Sequence, residues 1–310
     1  MKGIVSLVIV CCLLSATWAA EPLDSPQKVA AYLQEISVTV RAGESQGSAT
    51  AVNRTIDGEN VTFLLTAAHV VDGLRKQEEV ITPDGDKRVK ITFEDCALVQ
   101  EVRQAGRRVG EWKFDAKVIS YDAGEDVAVL EVRKRDFLKE SARFYLKEEI
   151  PGVGTELFHC GSPGGQDVGA NSVTPGGLAQ IGRTFPEFTG EFDQATVASL
   201  PGSSGGGVFL KDTGEYVGML TLGLVGQDSF AYYIPMRRIS KWAAKSNLAW
   251  LLDPGVKPPT REKLESMPIE PNTFNRTDPS EGKSNLYFLI SKPPAPPKDK
   301  KGLPSLISAL

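Results

Sequence analysis

Histidine and cysteine are scarce in this chain. Two histidines, His69 and His159, and four cysteines stand among 310 residues. Cys11 and Cys12 fall inside an N-terminal apolar run, which leaves Cys96 and Cys160 for the rest. Ligands this few form no zinc-binding spacing, so no metal and no other cofactor is expected. A basic excess is also missing. The 35 Lys and Arg residues face 39 Asp and Glu, a net charge of −4, which argues against nucleic acid as a partner. No run of about 18 apolar residues occurs, so no stable membrane insertion is expected. The apolar stretch 4–14 behind Lys2 is too short to span a bilayer, and Thr17 and Ala19 suit a small-residue cleavage site. Residues 1–20 therefore read as a signal peptide, and the protein is expected to be exported, periplasmic or secreted. In such a compartment Cys96 and Cys160 predict one disulfide, with two buried free thiols as the alternative.

What the chain does have is a glycine–serine stretch at 200–209, Leu-Pro-Gly-Ser-Ser-Gly-Gly-Gly-Val-Phe. Glycines at this density permit a turn too tight for side chains, with backbone N–H groups aimed into one space. A serine there would have a nucleophilic oxygen beside oxyanion donors. Alone, the stretch equally fits a loop between two strands. The shortage of histidine narrows the chemistry. Both histidines precede Ser204, so the Ser–acid–His order of α/β-hydrolases is impossible. An Asp–His–Ser order would have to use Asp24 or Asp57, and Asp57 lies in a polar turn. For a His–Asp–Ser order the acid is Asp126, which opens the apolar run Val-Ala-Val-Leu. A carboxylate at the mouth of a buried strand needs a partner, because burying it unpaired is costly. His69 ends the apolar run Phe-Leu-Leu-Thr-Ala-Ala and is the imidazole available. His159 has no acid at a matching motif and reads as structural.

Thr66-Ala-Ala-His69, Asp126-Val-Ala-Val-Leu and Pro201-Gly-Ser-Ser-Gly-Gly206 together resemble, in order, the three motifs of trypsin-like (chymotrypsin-fold) serine proteases. Gly161-Ser-Pro-Gly-Gly165, Ser172-Val-Thr-Pro-Gly-Gly177 and Gly214-Glu-Tyr-Val-Gly-Met-Leu-Thr221 add a resemblance to bacterial Deg-type envelope proteases. The similarity runs over about residues 38–248. Ser203 stands where that family usually has Asp or Asn, and Gly207 where it usually has Pro.

The resemblance implies an all-β fold, two six-stranded antiparallel β-barrels of trypsin-like type with a C-terminal helix. It implies His69, Asp126 and Ser204 as catalytic residues of a serine endopeptidase acting on proteins or peptides. Gly202 and Ser204 would supply the oxyanion hole. Ala198 would lie at the base of the specificity pocket, with Thr221, Leu222 and Gly223 as its wall and substrate-pairing edge. No carboxylate stands at that base, so a small or medium aliphatic residue is expected before the cleaved bond. A non-catalytic binding module on a protease fold, and an esterase or acyl transferase using the same triad, remain the alternatives.

The chain divides into the signal peptide at 1–20, a protease domain at 21–252 and a proline-rich, largely extended tail at 253–310. No PDZ-like segment follows the protease domain, a departure from most Deg-type chains. Ser25 and Pro26 predict a helix start, with Val29, Tyr32 and Leu33 at helical spacing. Residues 83–115 read as a charged insertion, 161–177 as a glycine- and proline-rich loop, and 197–200 as a strand. Residues 237–252 read as one closing helix.

Overall fold

A computed structural model describes residues 23–81, 83, 85, 87–270 and 286–289. The signal-peptide reading at 1–20 lies outside the described residues, as does most of the tail.

Helix α1 (Pro26–Glu35) starts as the sequence predicts. Ser25 Oγ accepts from Lys28 N, Pro26 fills the first turn, and Val29, Tyr32 and Leu33 are buried. Strands β1 (Ser37–Ala42), β2 (Ser45–Ile56) and β3 (Glu59–Thr66) follow as an antiparallel meander. After helix α2 (Ala68–Val71), strands β4 (Arg75–Ile81) and β5 (Lys87–Phe93) form a separate hairpin. Strands β6 (Cys96–Gln104), β7 (Arg107–Asp122) and β8 (Val127–Val132) then complete a closed barrel in the order β1-β2-β3-β8-β7-β6. Closure leaves no free strand edge. Val38, Val40, Leu64, Leu98 and Leu130 are fully buried in it. The charged stretch at 83–115 is therefore not an insertion beyond β5, because β6 and β7 belong to the barrel. Its charges sit at the outer end of that hairpin, where Arg103, Arg108 and Lys113 pair with Glu101 and Glu111.

The second barrel follows strand β9 (Arg143–Phe144). It is built from β10 (Glu156–Gly161), β11 (Ser172–Arg183), β12 (Phe192–Ala195), β13 (Gly207–Leu210), β14 (Glu215–Leu224) and β15 (Gln227–Pro235), with short helix α3 (Gln166–Gly169) between β10 and β11. The order is β13-β10-β11-β12-β15-β14, and pairing of β13 with β14 closes it. The molecule thus has the two antiparallel six-stranded barrels that the resemblance implies. Two local readings change. The strand expected at 197–200 lies earlier, at Phe192–Ala195, and residues 172–177, read as loop, begin β11. Glycine and proline mask the alternating pattern there, although Pro175 sits opposite Phe158 in the ladder.

The closing helix is two helices, α4 (Met236–Lys245) and α5 (Ala249–Leu252). Asn247 takes φ +59 between them, a left-handed conformation that ends a helix and that asparagine tolerates. Beyond it the chain is not simply extended. Helix α6 (Arg261–Ser266), capped by Thr260, buries Leu264, and Ile269 O accepts from Tyr121 N on β7 at 2.7 Å. Arg261 reaches Glu131 at 2.6 Å. Burial pushes the Glu131 carboxyl up, but Arg261, Lys117 and Arg135 around it prevail and hold it below the usual carboxylate range. The last described element is β16 (Leu286–Phe288), which pairs with β14.

Cys96 and Cys160 are both free and buried, so the expected disulfide is absent. They belong to different barrels, β6 and β10, and burial pushes each thiol up to about 12.

Candidate active site

The cleft between the barrels is built from turns whose geometry is forced by small residues. Ser204 lies in the tight turn before β13. Gly202 and Gly205 there take φ +98 and +84. A Cβ at Gly205 would sit 2.1 Å from Ser48 O, and one at Gly202 would sit 2.3 Å from Ser162 O, so no side chain fits at either position. The turn is tied to the first barrel by Ser48 N, which donates to Ser204 O at 2.7 Å. His69 is carried by α2, directly after β3. Asp126 sits at the start of β8 with φ +55, in the left-handed region that aspartate enters more readily than most residues.

These three side chains meet. His69 Nε2 lies 2.7 Å from Ser204 Oγ. His69 Nδ1 lies 3.0 Å from both Asp126 oxygens, and His69 backbone N donates to Asp126 Oδ1 at 3.1 Å. A carboxylate only accepts, so Nδ1 carries the proton and Nε2 is left to accept from the serine. Asp126 Oδ2 also accepts from Thr221 Oγ1 at 2.5 Å. Ser203, the rival hydroxyl, is fully buried and its Oγ has no hydrogen-bond partner among the described residues.

The other predicted positions fall as follows. Gly202 N and Ser204 N converge on one acceptor, the Leu289 carbonyl, at 2.8 Å each. The Thr221 carbonyl accepts from Leu289 N at 3.0 Å and also lies 3.0 Å from Ser204 Oγ, whose single proton goes to His69 Nε2. Leu222 and Gly223 form the edge that pairs with Phe288 and Tyr287. Ala198 is only half-buried. The apolar cluster inside the second barrel contains Ala195, Val197, Ala231 and Tyr233 instead.

Three contributions were not read from the sequence. Thr221 was expected to bind substrate, yet its hydroxyl also orients Asp126. Arg238 on α4, largely buried, donates to Glu125 Oε2 at 2.7 Å and so clamps the loop that carries Asp126. Nothing in the sequence pairs Glu125 with a residue so distant. The third is segment 286–289, which lies across the site.

His159 is buried beside the glycine–serine turn at 202–206, not in the cleft. Its Nδ1–H donates to Gly207 O at 3.1 Å, and a Cβ on Gly206 would meet its ring at 2.5 Å. Burial pushes its pKa down to about 4, against a weaker upward pull from the Gly207 hydrogen bond. The unfolded chain protonates this histidine near ~6.5, the folded chain only near the lower value. Stability from this group is therefore fully present above about pH 6.5, is lost as pH falls toward about 4, and then levels off. The loss amounts to about 3 kcal/mol. Urea midpoints at pH 7.5 and 4.5 should consequently lie closer together in His159→Gln than in wild type. An unchanged gap would show that His159 does not titrate this way.

A trypsin-like peptidase domain model matches residues 47–219. The chain therefore belongs to the trypsin-like peptidase family. Among solved structures it resembles the serine endoprotease of Yersinia pestis, with 20% identity, TM-score 0.52, and coverage of 73% of this chain and 66% of that one. It also resembles Deg5, with 18% identity, TM-score 0.51, and coverage of 73% and 94%. A third is Rv3671c of M. tuberculosis H37Rv in an inactive form, with 18% identity, TM-score 0.50, and coverage of 70% and 89%. At these identities the likeness is one of fold. No curated protein matches the chain. Family membership makes this a peptidase-type hydrolase, with proteins or peptides as its substrate class.

Proposed function

We propose that the protein is an exported serine endopeptidase that cleaves through an acyl-enzyme, with Ser204 as nucleophile, His69 as base and Asp126 as the group that orients the imidazole. The observation that carries this reading is the unbroken chain from Thr221 Oγ1 through Asp126 and His69 to Ser204 Oγ. His69 takes the serine proton as Oγ attacks the scissile carbonyl, then returns it to the leaving amine. Gly202 N and Ser204 N hold the developing oxyanion, and each such donor contributes roughly 3–4 kcal/mol in the transition state. Export rests on the apolar stretch at 4–14 behind Lys2.

A fluorophosphonate probe should label the folded protein on Ser204, read by peptide mapping, and the same sample should digest casein. A label on Ser203, or none, overturns the assignment. Labelling without casein cleavage, together with turnover of a simple ester, would favour the esterase reading.

A further inference from the structure

The cleft of this molecule holds a segment of its own chain, seated as a substrate would be. Strand β16 runs antiparallel along the edge of β14, with Leu222 opposite Phe288, Gly223 opposite Tyr287 and Leu224 opposite Leu286. Leu289 N extends this ladder to Thr221 O at 3.0 Å. The Leu289 side chain is fully buried in the apolar interior of the second barrel, in one cluster with Val197, Ala231 and Tyr233. Its carbonyl oxygen takes both N–H donors of the 202–204 turn. The ring of Phe288 stacks on His69 with centroids 4.0 Å apart and planes 19° apart, and meets the edge of Phe188 at 5.8 Å. Under this segment Ser204 has no exposed surface and His69 only 5%.

Each contact answers a separate demand of peptide cleavage. A strand edge aligns the backbone, a pocket selects one side chain, and two donors mark the carbonyl under attack. The residue whose carbonyl sits between oxyanion donors precedes the bond to be broken. From this register we infer that the Leu289–Ile290 peptide bond is a self-processing site, presented to Ser204 within the same chain. The inference rests on the serine endopeptidase reading above, and it names leucine preceded by an aromatic residue as the preferred substrate sequence.

The reaction balances as an ordinary hydrolysis. Ser204 Oγ adds to the Leu289 carbonyl carbon and its proton passes to His69 Nε2. The bond to Ile290 N breaks as that proton moves to the leaving amine. Water then adds to the acyl-enzyme, and the products are a chain ending in a Leu289 carboxylate and a peptide, 290–310, beginning at Ile290. A three-residue strand pairs weakly by itself, but tethering gives it an effective concentration in the millimolar range. Processing is thus expected to be intramolecular.

The test uses the full-length protein with casein as an external substrate, followed by intact-mass spectrometry. Wild type should convert to a species ending at Leu289, with release of 290–310, at a rate unchanged over about a tenfold dilution. Ser204→Ala should stay whole. Leu289→Asp, which would place a carboxylate in an apolar pocket, should slow that cut by about tenfold or more, while casein cleavage rises as the cleft empties. If Ser204→Ala fails to fold, Leu289→Asp carries the test alone. Casein digestion by wild type with the Leu289–Ile290 bond intact overturns the inference and leaves the endopeptidase reading standing. A rate that scales with protein concentration overturns intramolecular presentation. No cut and no casein digestion, in wild type and in Leu289→Asp alike, overturns both.

Discussion

Ser204→Ala is expected to fold and to lose about 10⁶-fold in kcat on casein, while Ser203→Ala stays within about tenfold of wild type. The two serines are adjacent and equally buried, so exposure does not separate them. Hydrogen bonding does. Ser204 Oγ is 2.7 Å from the only imidazole in the cleft, and its backbone N is one of the two donors converging on the Leu289 carbonyl. Removing its oxygen removes the bond-forming atom and leaves only binding and oxyanion stabilisation. Ser203 Oγ has no partner among the described residues, so Ala at 203 deletes a buried hydroxyl that is already unsatisfied. Such a change is close to neutral or stabilising. Kinetics on the two variants, with circular dichroism to establish folding, check the pair. Comparable losses in both, or the larger loss at Ser203, would move the nucleophile.

The two barrels were legible through the resemblance of the three motifs, and the motifs that bring His69, Asp126 and Ser204 together were legible for a physical reason. A nucleophile turn built on Gly202 and Gly205 tolerates no side chain, and a buried Asp126 must have a partner. Both constraints fix the residue type at one position within a short stretch, so they leave short motifs even though the atoms that impose them, Ser48 O, Ser162 O and the His69 ring, lie far along the chain. What was illegible depends on contacts between distant residues. Arg238 on α4 and Glu125 in the turn before β8 meet from 113 residues apart, and neither carries a local signature. Cys96 and Cys160 are an even pair in number, yet they occupy different barrels. The segment 197–200 is apolar enough for a strand, but the ladder with β15 is made by Phe192–Ala195. Phe288-Leu-Ile reads as one short apolar island in a proline-rich tail, and only the edge of β14 shows a strand there, displaced to Leu286–Phe288.

Asp126→Asn is expected to keep the fold and to cost about 10⁴-fold in kcat. Among the described residues the donors aimed at the two carboxylate oxygens include His69 N, His69 Nδ1–H and Thr221 Oγ1. An amide offers one acceptor and one donor group in the same space. Its oxygen can keep the bond from His69 N, and the Thr221 hydroxyl can rotate to accept from the amide NH₂. Nδ1 lies 3.0 Å from both positions, so the NH₂ competes with the amide oxygen for it, and where Nδ1 accepts from the NH₂ the ring proton moves to Nε2. That nitrogen then meets Ser204 Oγ as a donor and cannot take the serine proton. The loss should therefore appear in kcat, with KM little changed, because the ladder on β14 and the two oxyanion N–H groups are untouched. Asp122→Asn supplies the control. Asp122 is also buried, but among the described residues its carboxylate accepts from Glu125 N alone, through Oδ1 at 3.0 Å, a bond that an amide oxygen retains. Near wild-type kcat in Asp126→Asn would make this carboxylate a strand cap and nothing more, and a large loss in Asp122→Asn instead would transfer the orienting role to that residue.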